Sequence, residues 1–431
     1  MQGPAIGLLG FAAVVLLIVL RVPVGIAMGV VGAIGYGFVY GFATLGFVLG
    51  RAPFDAVFPV SLSVVPLFVM MGVFAGHAGL SKSLYALVAS FIGHFRGGLA
   101  MATIGASALF GAVCGSSIAT AATIGRIALP EMRAHRYQDR LAAASVAAGG
   151  TLGVMIPPSI MFVIYGLMTE NPIGKLFVAG ILPGLLGMLL YMGAVAFLTR
   201  RHPEIGPAAE RQTWAERLQG LKEVWQVVLL FGVVLGGMYL GWFSPTEAAA
   251  VGAFGALLLA ALGGRLTWQL LRTGFLETAS TTAMIFLILI GAAVFNFFID
   301  ATGLTQAIIR NVQDLGWSPL AVLLALCVFY VILGCLMDSL SMILLTLGAV
   351  YPLVGALNLD PIWFGVLLVT LAEIGMITPP VGMNLFVIQG VAGIRMDVIA
   401  RGILPFVGAD VVRIALLIAF PAIATFLPAR M

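Results

Sequence analysis

The chain has 431 residues, of which 61% are hydrophobic and only 9% are charged, and its formal net charge is +4. Soluble domains carry about 25% charged residues, so this composition excludes a soluble protein and predicts a polytopic, all-α membrane protein embedded in the lipid bilayer. Long apolar runs such as 5–20 and 226–242 do not alternate as strands would, which excludes a membrane β-barrel. The small positive charge gives no reason to expect a nucleic-acid partner.

The first half of the chain, residues 1–199, is predicted to contain seven elements. They are spans near 5–20, 22–44 and 54–77, an amphipathic segment at 80–92, a re-entrant hairpin at 97–130, a proline-broken helix at 139–167 and a span at 175–199. No Lys or Arg precedes Arg21, so the first run is predicted to be a retained helix and not a cleaved signal peptide.

A polar linker and a second half follow. Residues 200–225 are amphipathic and are predicted to lie along the cytoplasmic interface. The second half, residues 226–431, repeats the element order: spans near 226–242, 245–264 and 277–299, an amphipathic piece at 303–314, a re-entrant hairpin at 317–355, a broken helix at 361–390 and a last span near 402–427.

One sequence shift relates the two halves. The segment GVMIPPSIMFVIYG at 153–166 matches GMITPPVGMNLFVIQG at 375–390. A shift of 222 residues pairs Gly153 with Gly375, Pro157 with Pro379, Pro158 with Pro380 and Pro130 with Pro352. We therefore predict two repeats, each with about five spanning helices, one re-entrant hairpin and one proline-broken helix.

The distribution of basic residues predicts the orientation of these repeats. Five crossings in each half would invert the second repeat relative to the first. With the 200–225 linker in the cytoplasm, 15 of the 21 Lys and Arg residues face the cytoplasm and 4 face outside, in agreement with the positive-inside rule. Both termini are then periplasmic. Inverted repeats with discontinuous helices are typical of secondary transporters, whose sites lie near the bilayer midplane.

The four interruptions are the candidate site. Broken helices expose carbonyl oxygens at one end, which suit a small cation such as Na⁺, and N–H groups at the other, which favour anions. The candidate sodium ligands are Gly115, Ser116, Ser117, Thr151, Asp338, Ser339, Thr378, Gly382 and Asn384. The candidate substrate residues are Ser117, Arg126, Pro157, Pro158, Ser159, Ser341, Pro379 and Pro380.

The residues leave several alternatives open. Gly and Ser at the interruptions also permit close helix packing. Asp338 and Glu373 are ionisable groups in apolar surroundings, so either is a candidate cation ligand or proton carrier, or part of a polar network that holds helices together. Arg126 is placed either to pair with a substrate carboxylate or to extend towards the cytoplasmic interface.

The motifs resemble the large membrane subunit of tripartite ATP-independent periplasmic (TRAP) transporters, the DctM-like family. The segments that carry the resemblance are GAVCGSSIATAATIGRIALPEM (111–132), GGTLGVMIPPSIMFVIYG (149–166), MDSLSMILLT (337–346) and DPIWFGVLLVTLAEIGMITPPVGMNLFVIQG (360–390). The resemblance covers essentially the whole chain.

The resemblance implies a sodium-driven importer of organic anions, such as carboxylates or sialic acids, in a bacterial inner membrane. It implies an elevator-type fold and motion, a separate small four-helix membrane subunit and a periplasmic substrate-binding protein. It implies no catalytic residues and no cofactor other than Na⁺ as coupling ion. A proton-coupled transporter or antiporter that uses Asp338 and Glu373 is the alternative.

Overall fold

A computed structural model of the chain describes residues 3–431, and the regular elements in that range are α-helices and short 3-10 helices. The first half contains α1 (Gly3–Val19), α2 (Val24–Tyr40), α3 (Phe42–Val57), α4 (Val64–His77), α5 (Leu80–Ile92), α6 (Gly98–Cys114), α7 (Ser117–Ala134), α8 (Asp139–Met155), α9 (Ile160–Thr169) and α10 (Ile173–Arg201).

The second half has the same order of long helices. It contains α11 (Trp214–Glu223), α12 (Trp225–Tyr239), α13 (Pro245–Leu262), α14 (Trp268–Thr302), α15 (Leu304–Asp314), α16 (Pro319–Gly334), α17 (Ser339–Ala356), α18 (Pro361–Ile377), α19 (Met383–Ala392), α20 (Met396–Ala419) and α21 (Ala422–Thr425).

The lengths of these helices fit a polytopic membrane protein. Seven helical stretches in residues 3–431 are long and apolar enough to cross a membrane, and the bent pair α11–α12 would be an eighth. Among the predicted spans, α1, α2 and α18 have 17 residues each, at the short end of the spanning range. Conversely, α17 is long enough to span although it was predicted to be a hairpin limb.

The predicted spans 22–44 and 54–77 are wrong in their bounds. The first of these helices ends at Tyr40, because Gly41 adopts φ +91°, and a separate helix, α3, then fills the region up to Val57. The next helix cannot start at residue 54, because α3 runs through it and Pro59 follows, which has no N–H to continue a helix. A 3-10 turn then leads into α4.

Three other predicted bounds also change. The predicted 277–299 span is the 35-residue helix α14, about 52 Å long and thus longer than the bilayer core. The predicted last span, 402–427, starts earlier, at Met396, and ends at Ala419, before Phe420 and Pro421. The predicted boundary between the 175–199 span and the linker moves to Arg201, where α10 ends. Regular α-helix resumes in the linker at Trp214, where Thr213 and Glu216 form a capping box.

The helices pack in two groups that share one hydrophobic core. The flanking group consists of α1–α4 and α12–α14, with α2, α3 and α4 against the long α14. The central group consists of α6–α10 and α16–α20. Connector helices α5 and α15 each join the flanking group to a hairpin of the central group. Helices α8 and α18 are buried along almost their whole length, as expected for helices that are apolar on every side.

The two hairpins have their bases at opposite ends of the α8–α9 segment. At the start of hairpin α6–α7, the Gly97 N–H donates to the linker carbonyl of Gly206 at 2.8 Å. The other hairpin, α16–α17, is held near its base by the Asn171 side-chain amide, which donates to the Tyr351 hydroxyl at 3.0 Å. The first contact lies next to the beginning of α8, whereas the second lies just after the end of α9.

Candidate functional site

The tip of hairpin α6–α7 touches the first helix break, residues 156–159. Gly115 ends α6 with φ +64°, a conformation that favours glycine. A Cβ at Gly115 would lie 3.1 Å from the carbonyl oxygen of Pro158. The hairpin tip and the first break are therefore neighbours.

Two glycine pairs bring each hairpin against its broken helix. A Cβ at Gly111 of α6 would fall on the Cα of Gly153 in α8. In the second half, a Cβ at Gly334 of α16 would lie 2.9 Å from the Cα of Gly375 in α18. Each hairpin thus reaches its broken helix only because neither backbone carries a side chain at the contact.

The first hairpin also meets the second broken helix. The Asn384 side-chain amide at the start of α19 donates to the Ser117 hydroxyl at 2.6 Å and to the Ala147 carbonyl at 3.2 Å. All three partners lie on different helices. The contact brings together two of the predicted sodium ligands, which are 267 residues apart in sequence.

Several buried oxygens at the first break and on the helices of this contact have no hydrogen-bond partner within residues 3–431. They are Asn384 Oδ1, Ser159 Oγ and Thr120 Oγ1. The last of these lies against the first broken helix, because a Cβ at Gly153 would be 2.7 Å from it. Sequence reasoning missed Thr120, although it follows Ser117 by three residues and therefore shares its helix face. Ser116 caps α7 by accepting from the Ala119 N–H.

At the second break, residues 378–382, the polar side chain of Thr378 forms its hydrogen bond within the same broken helix. The Thr378 hydroxyl donates to the Ile374 carbonyl at 2.7 Å. Gly382 adopts φ +57°, and a Cβ there would lie 3.2 Å from the Met376 carbonyl oxygen. The Pro157–Pro158 and Pro379–Pro380 peptide bonds are both cis.

At the tip of hairpin α16–α17, Asp338 acts as the N-cap of α17. Its carboxylate accepts the Ser341 N–H at 3.1 Å and also the Ser341 hydroxyl. Ser339 is buried beside them. The cap gives Asp338 and Ser341 a structural function in addition to the predicted ion and substrate functions.

The Thr151 hydroxyl has hydrogen-bond partners other than Ser117 and Asn384. It donates to the Ala148 carbonyl at 2.8 Å and lies 3.3 Å from the Tyr191 hydroxyl. Tyr191 in turn donates to Asp410 at 2.6 Å. The geometry therefore places Thr151 in a polar network on the side of α8 that faces α10 and α20.

Glu373 belongs to the same network. Its carboxylate forms an ion pair with Arg413, and both side chains are fully buried. The Nε of Arg413 lies 3.7 Å from Asp410, which is also buried. The sequence left Glu373 open as a cation ligand, a proton carrier or a structural group. Its partners Arg413 and Asp410 were missed, although charged groups within apolar helices were a usable signal.

Arg126 lines two cavities. A cavity of about 380 Å³ lies between α7, α4 and α14, and its polar lining includes Ser116, Arg126 and the pair of His77 and Glu277, which are 3.0 Å apart. A second cavity of about 750 Å³ lies between α5, α7 and the linker helix α11, and Arg126 lines it as well. Arg126 therefore places one exposed guanidinium on the lining of both cavities.

An all-helical bundle with paired hairpins, two interrupted helices and a polar cavity at a hairpin tip defines a polytopic membrane protein of the transporter class. Residues 11–423 match the family described as the tripartite ATP-independent periplasmic transporter, DctM component. The chain belongs to this family, whose members are permease subunits of transporters and not enzymes.

Curated relatives match most of the chain. The C4-dicarboxylate TRAP transporter large permease protein DctM of Pseudomonas aeruginosa is 36% identical over 86% of this chain and 84% of its own. The sialic acid TRAP transporter large permease protein SiaM of Vibrio cholerae is 34% identical over 85% and 86%. The 2,3-diketo-L-gulonate TRAP transporter large permease protein YiaN of Escherichia coli is 34% identical over 80% and 81%.

A solved structure shares the fold. The YdaH transporter of Alcanivorax borkumensis superimposes with a TM-score of 0.63 over 89% of this chain and 90% of its own, at 17% identity. At that identity the likeness concerns the fold alone. The family resemblance read from the sequence is confirmed by these comparisons.

Proposed function

We propose that this chain is the large membrane subunit of a sodium-coupled TRAP transporter that imports an organic anion across a bacterial inner membrane. The observation that carries the proposal is the contact between Ser117 and Asn384, where two interruptions from different halves meet and leave buried oxygens unpartnered. Its partners would be a small four-helix membrane subunit and a periplasmic binding protein that delivers the substrate.

The anion would bind in the cavity at the hairpin tip. Its lining includes the Ser116 hydroxyl at the N-terminus of α7 and the Arg126 guanidinium, about 15 Å further along the same helix. The pair of His77 and Glu277 lines the same cavity. A helix N-terminus and a guanidinium both favour a carboxylate. The substrates named for the three relatives above, C4-dicarboxylate, sialic acid and 2,3-diketo-L-gulonate, are carboxylic acids, whereas another relative is named for isethionate, a sulfonate. A carboxylate substrate is therefore the best supported class.

Arg126→Gln is expected to lower the ratio of maximal uptake rate to KM by roughly 10- to 100-fold, because a hydrogen bond to a charged group contributes about 1.5–3 kcal/mol. The measurement is uptake of radiolabelled substrate into proteoliposomes that contain the complete transporter. Arg140→Gln removes an equally exposed charge at the start of α8 and serves as the control. Equal losses in both variants would contradict a substrate contact at Arg126.

The coupling ion would bind to neutral oxygens near the first break. Thr120 Oγ1, Ser159 Oγ and Asn384 Oδ1 are buried and without partners in residues 3–431. Buried polar atoms of this kind call for a ligand or water, and hydroxyl and amide oxygens suit a hard cation. We include Gly115, Ser116 and Ser117 in this site, and assign Thr378 and Gly382 to a matching position at the second break.

Replacing Pro157 and Pro158 with alanine is expected to impair transport more than insertion. Each alanine restores a backbone N–H and removes a ring that blocks the helix. The helix can then continue across the first break, and the carbonyl oxygens exposed there form helical hydrogen bonds instead. We expect the uptake rate to fall about tenfold, which is the effect of losing one hydrogen bond or ion contact that involves a charged group. The amount of protein in the membrane should change little. Pro53→Ala, within α3, is the matched control. Normal uptake by the double variant would show that the break is incidental.

Transport would occur by movement of the central group against the flanking group. Connector helices α5 and α15 link the two groups at equivalent places in the two halves. The hairpin bases at opposite ends of α8–α9 support two inverted repeats, 1–199 and 226–431. With the basic linker 200–225 in the cytoplasm, both termini would be periplasmic.

Uptake into proteoliposomes distinguishes the proposed sodium coupling from the proton-coupled alternative. The complete transporter is supplied with either a sodium or a proton gradient in the presence of the binding protein. We expect uptake to require Na⁺, because Asp338 serves as a helix cap and Glu373 is paired with Arg413. Uptake that follows the proton gradient and is indifferent to Na⁺ would contradict the proposal.

A further inference from the structure

The buried network around Arg413 connects the two halves of the molecule. It runs from Thr151 on α8 to Tyr191 on α10, then to Asp410 and Arg413 on α20, and ends at Glu373 on α18. All five side chains are buried. Helices α8, α10, α18 and α20 all contact one another. The network thus forms the polar centre of a four-helix bundle.

The members of this network are related by the repeat. Thr151 and Glu373 differ by 222 residues, and so do Tyr191 and Arg413. The register in α10 and α20 is set by the sequence GILP, which occurs at 180–183 and again at 402–405. The pair of Thr151 and Tyr191 in one half therefore corresponds to the pair of Glu373 and Arg413 in the other. Asp410 joins the two pairs, since it contacts both Tyr191 and Arg413.

The ends of the network lie close to the two helix breaks. Thr151 precedes the end of α8 at Met155 by four residues, and Glu373 precedes the end of α18 at Ile377 by four residues. Each end is therefore about one helical turn from a break. Gly187 of α10 leaves the space that the Arg413 guanidinium occupies.

We propose that Thr151, Tyr191, Asp410, Arg413 and Glu373 are positioning residues that hold the two interrupted helices in one fixed register, so that both breaks act on the transported ion and anion together. The inference extends the proposed function, because it assigns a shared geometry to the two breaks. The Tyr191–Asp410 hydrogen bond and the Arg413–Glu373 ion pair suit the network to this role, since a displacement that breaks either one leaves a buried polar group without its partner.

Two conservative variants test the inference. Tyr191→Phe removes the hydroxyl that joins Thr151 to Asp410 but keeps the ring, which packs edge-on against Phe406 with centroids 5.6 Å apart. Thr151→Val removes the other hydroxyl with little change of shape. Tyr330→Phe is the matched control, because the Tyr330 hydroxyl lies 2.9 Å from that of Thr346 within one hairpin.

The reporter is a single cysteine, Val381→Cys, at the second break of the full chain, with the three native cysteines replaced by alanine. The rate of its reaction with a maleimide is measured in proteoliposomes. We expect both variants to change this rate about fivefold, the factor that one neutral hydrogen bond is worth, although Thr151 and Tyr191 belong to the other half. The double variant should change it no more than Tyr191→Phe alone, because removal of the Tyr191 hydroxyl already breaks its contact with Thr151.

The outcomes separate the two proposals. An unchanged rate at position 381 in both variants, or an equal change in Tyr330→Phe, would overturn the positioning role. The labelling experiment requires neither Na⁺ nor substrate. Uptake that does not depend on Na⁺ would therefore contradict the proposed sodium coupling. The labelling result would still test the positioning role of the network independently.

Discussion

Arg413→Met is expected to destabilise the protein by roughly 3–5 kcal/mol, because it leaves buried carboxylates without their counter-ion. Arg413 is fully buried and faces Glu373 and Asp410. With all three groups ionised the network carries one net negative charge, and the variant carries two. The measurement is the free energy of unfolding in detergent, together with the amount of protein in the membrane.

A second substitution should restore much of this loss. Glu373→Gln in the Arg413→Met background returns the network to its original net charge and leaves Asp410 with the Tyr191 hydroxyl as partner. Arg395→Met is the control, because its ion pair with Asp397 is exposed and contributes about 1 kcal/mol or less. A single Arg413→Met variant as stable as Arg395→Met would contradict a buried ionic network.

Gly111→Ala is expected to lower transport on the order of 100-fold while the chain still inserts. Its Cβ would fall on the Cα of Gly153, so hairpin α6–α7 must move away from α8. Overpacking of this kind costs about 1–3 kcal/mol, and a displacement of about 1 Å at a site can cost two orders of magnitude in rate. Uptake per amount of folded protein in proteoliposomes measures the effect.

The second half of the chain contains an equivalent glycine contact, which provides a second variant for the same test. Gly334→Ala should act in the same way on hairpin α16–α17, because its Cβ would lie 2.9 Å from the Cα of Gly375. Gly193→Ala, in α10, is the control, since nothing lies within 4 Å of a Cβ there. It should transport normally and gain slightly in helix stability. Normal transport by Gly111→Ala would mean that the hairpin tip need not touch the first break.

Elements with a strong local signal were predictable from the sequence. Connector α5 spans Leu80–Ile92, as its amphipathic pattern predicted, and the two proline pairs interrupt helices where proline removes a backbone donor. Helix α3 was not predictable in the same way. Its apolar residues continue those of α2, and the boundary depends on the positive φ of a single glycine, Gly41.

In the candidate site, individual residues could be chosen from the sequence, but the contacts between them could not. Asn384, Ser117 and the prolines were identified because polar or helix-breaking residues are expensive in an apolar segment. The contact between Asn384 and Ser117 was not predicted, because the two residues are 267 positions apart and nothing in the sequence around either one indicates that they meet. The contact of the Thr151 hydroxyl with Tyr191, 40 residues away in sequence, was likewise not predictable, and its role as an ion ligand stays a prediction.

The sequence by itself determined the class of protein, the family and the positions of the four interruptions. Hydropathy, proline and glycine act locally, and a duplicated pattern is visible without coordinates. The tertiary structure decided which interruptions touch, which charges are paired and where the cavities lie. These features depend on which distant helices pack together and bury each other's side chains. The Glu373 carboxylate, for example, becomes a structural group only because a distant helix brings Arg413 to it.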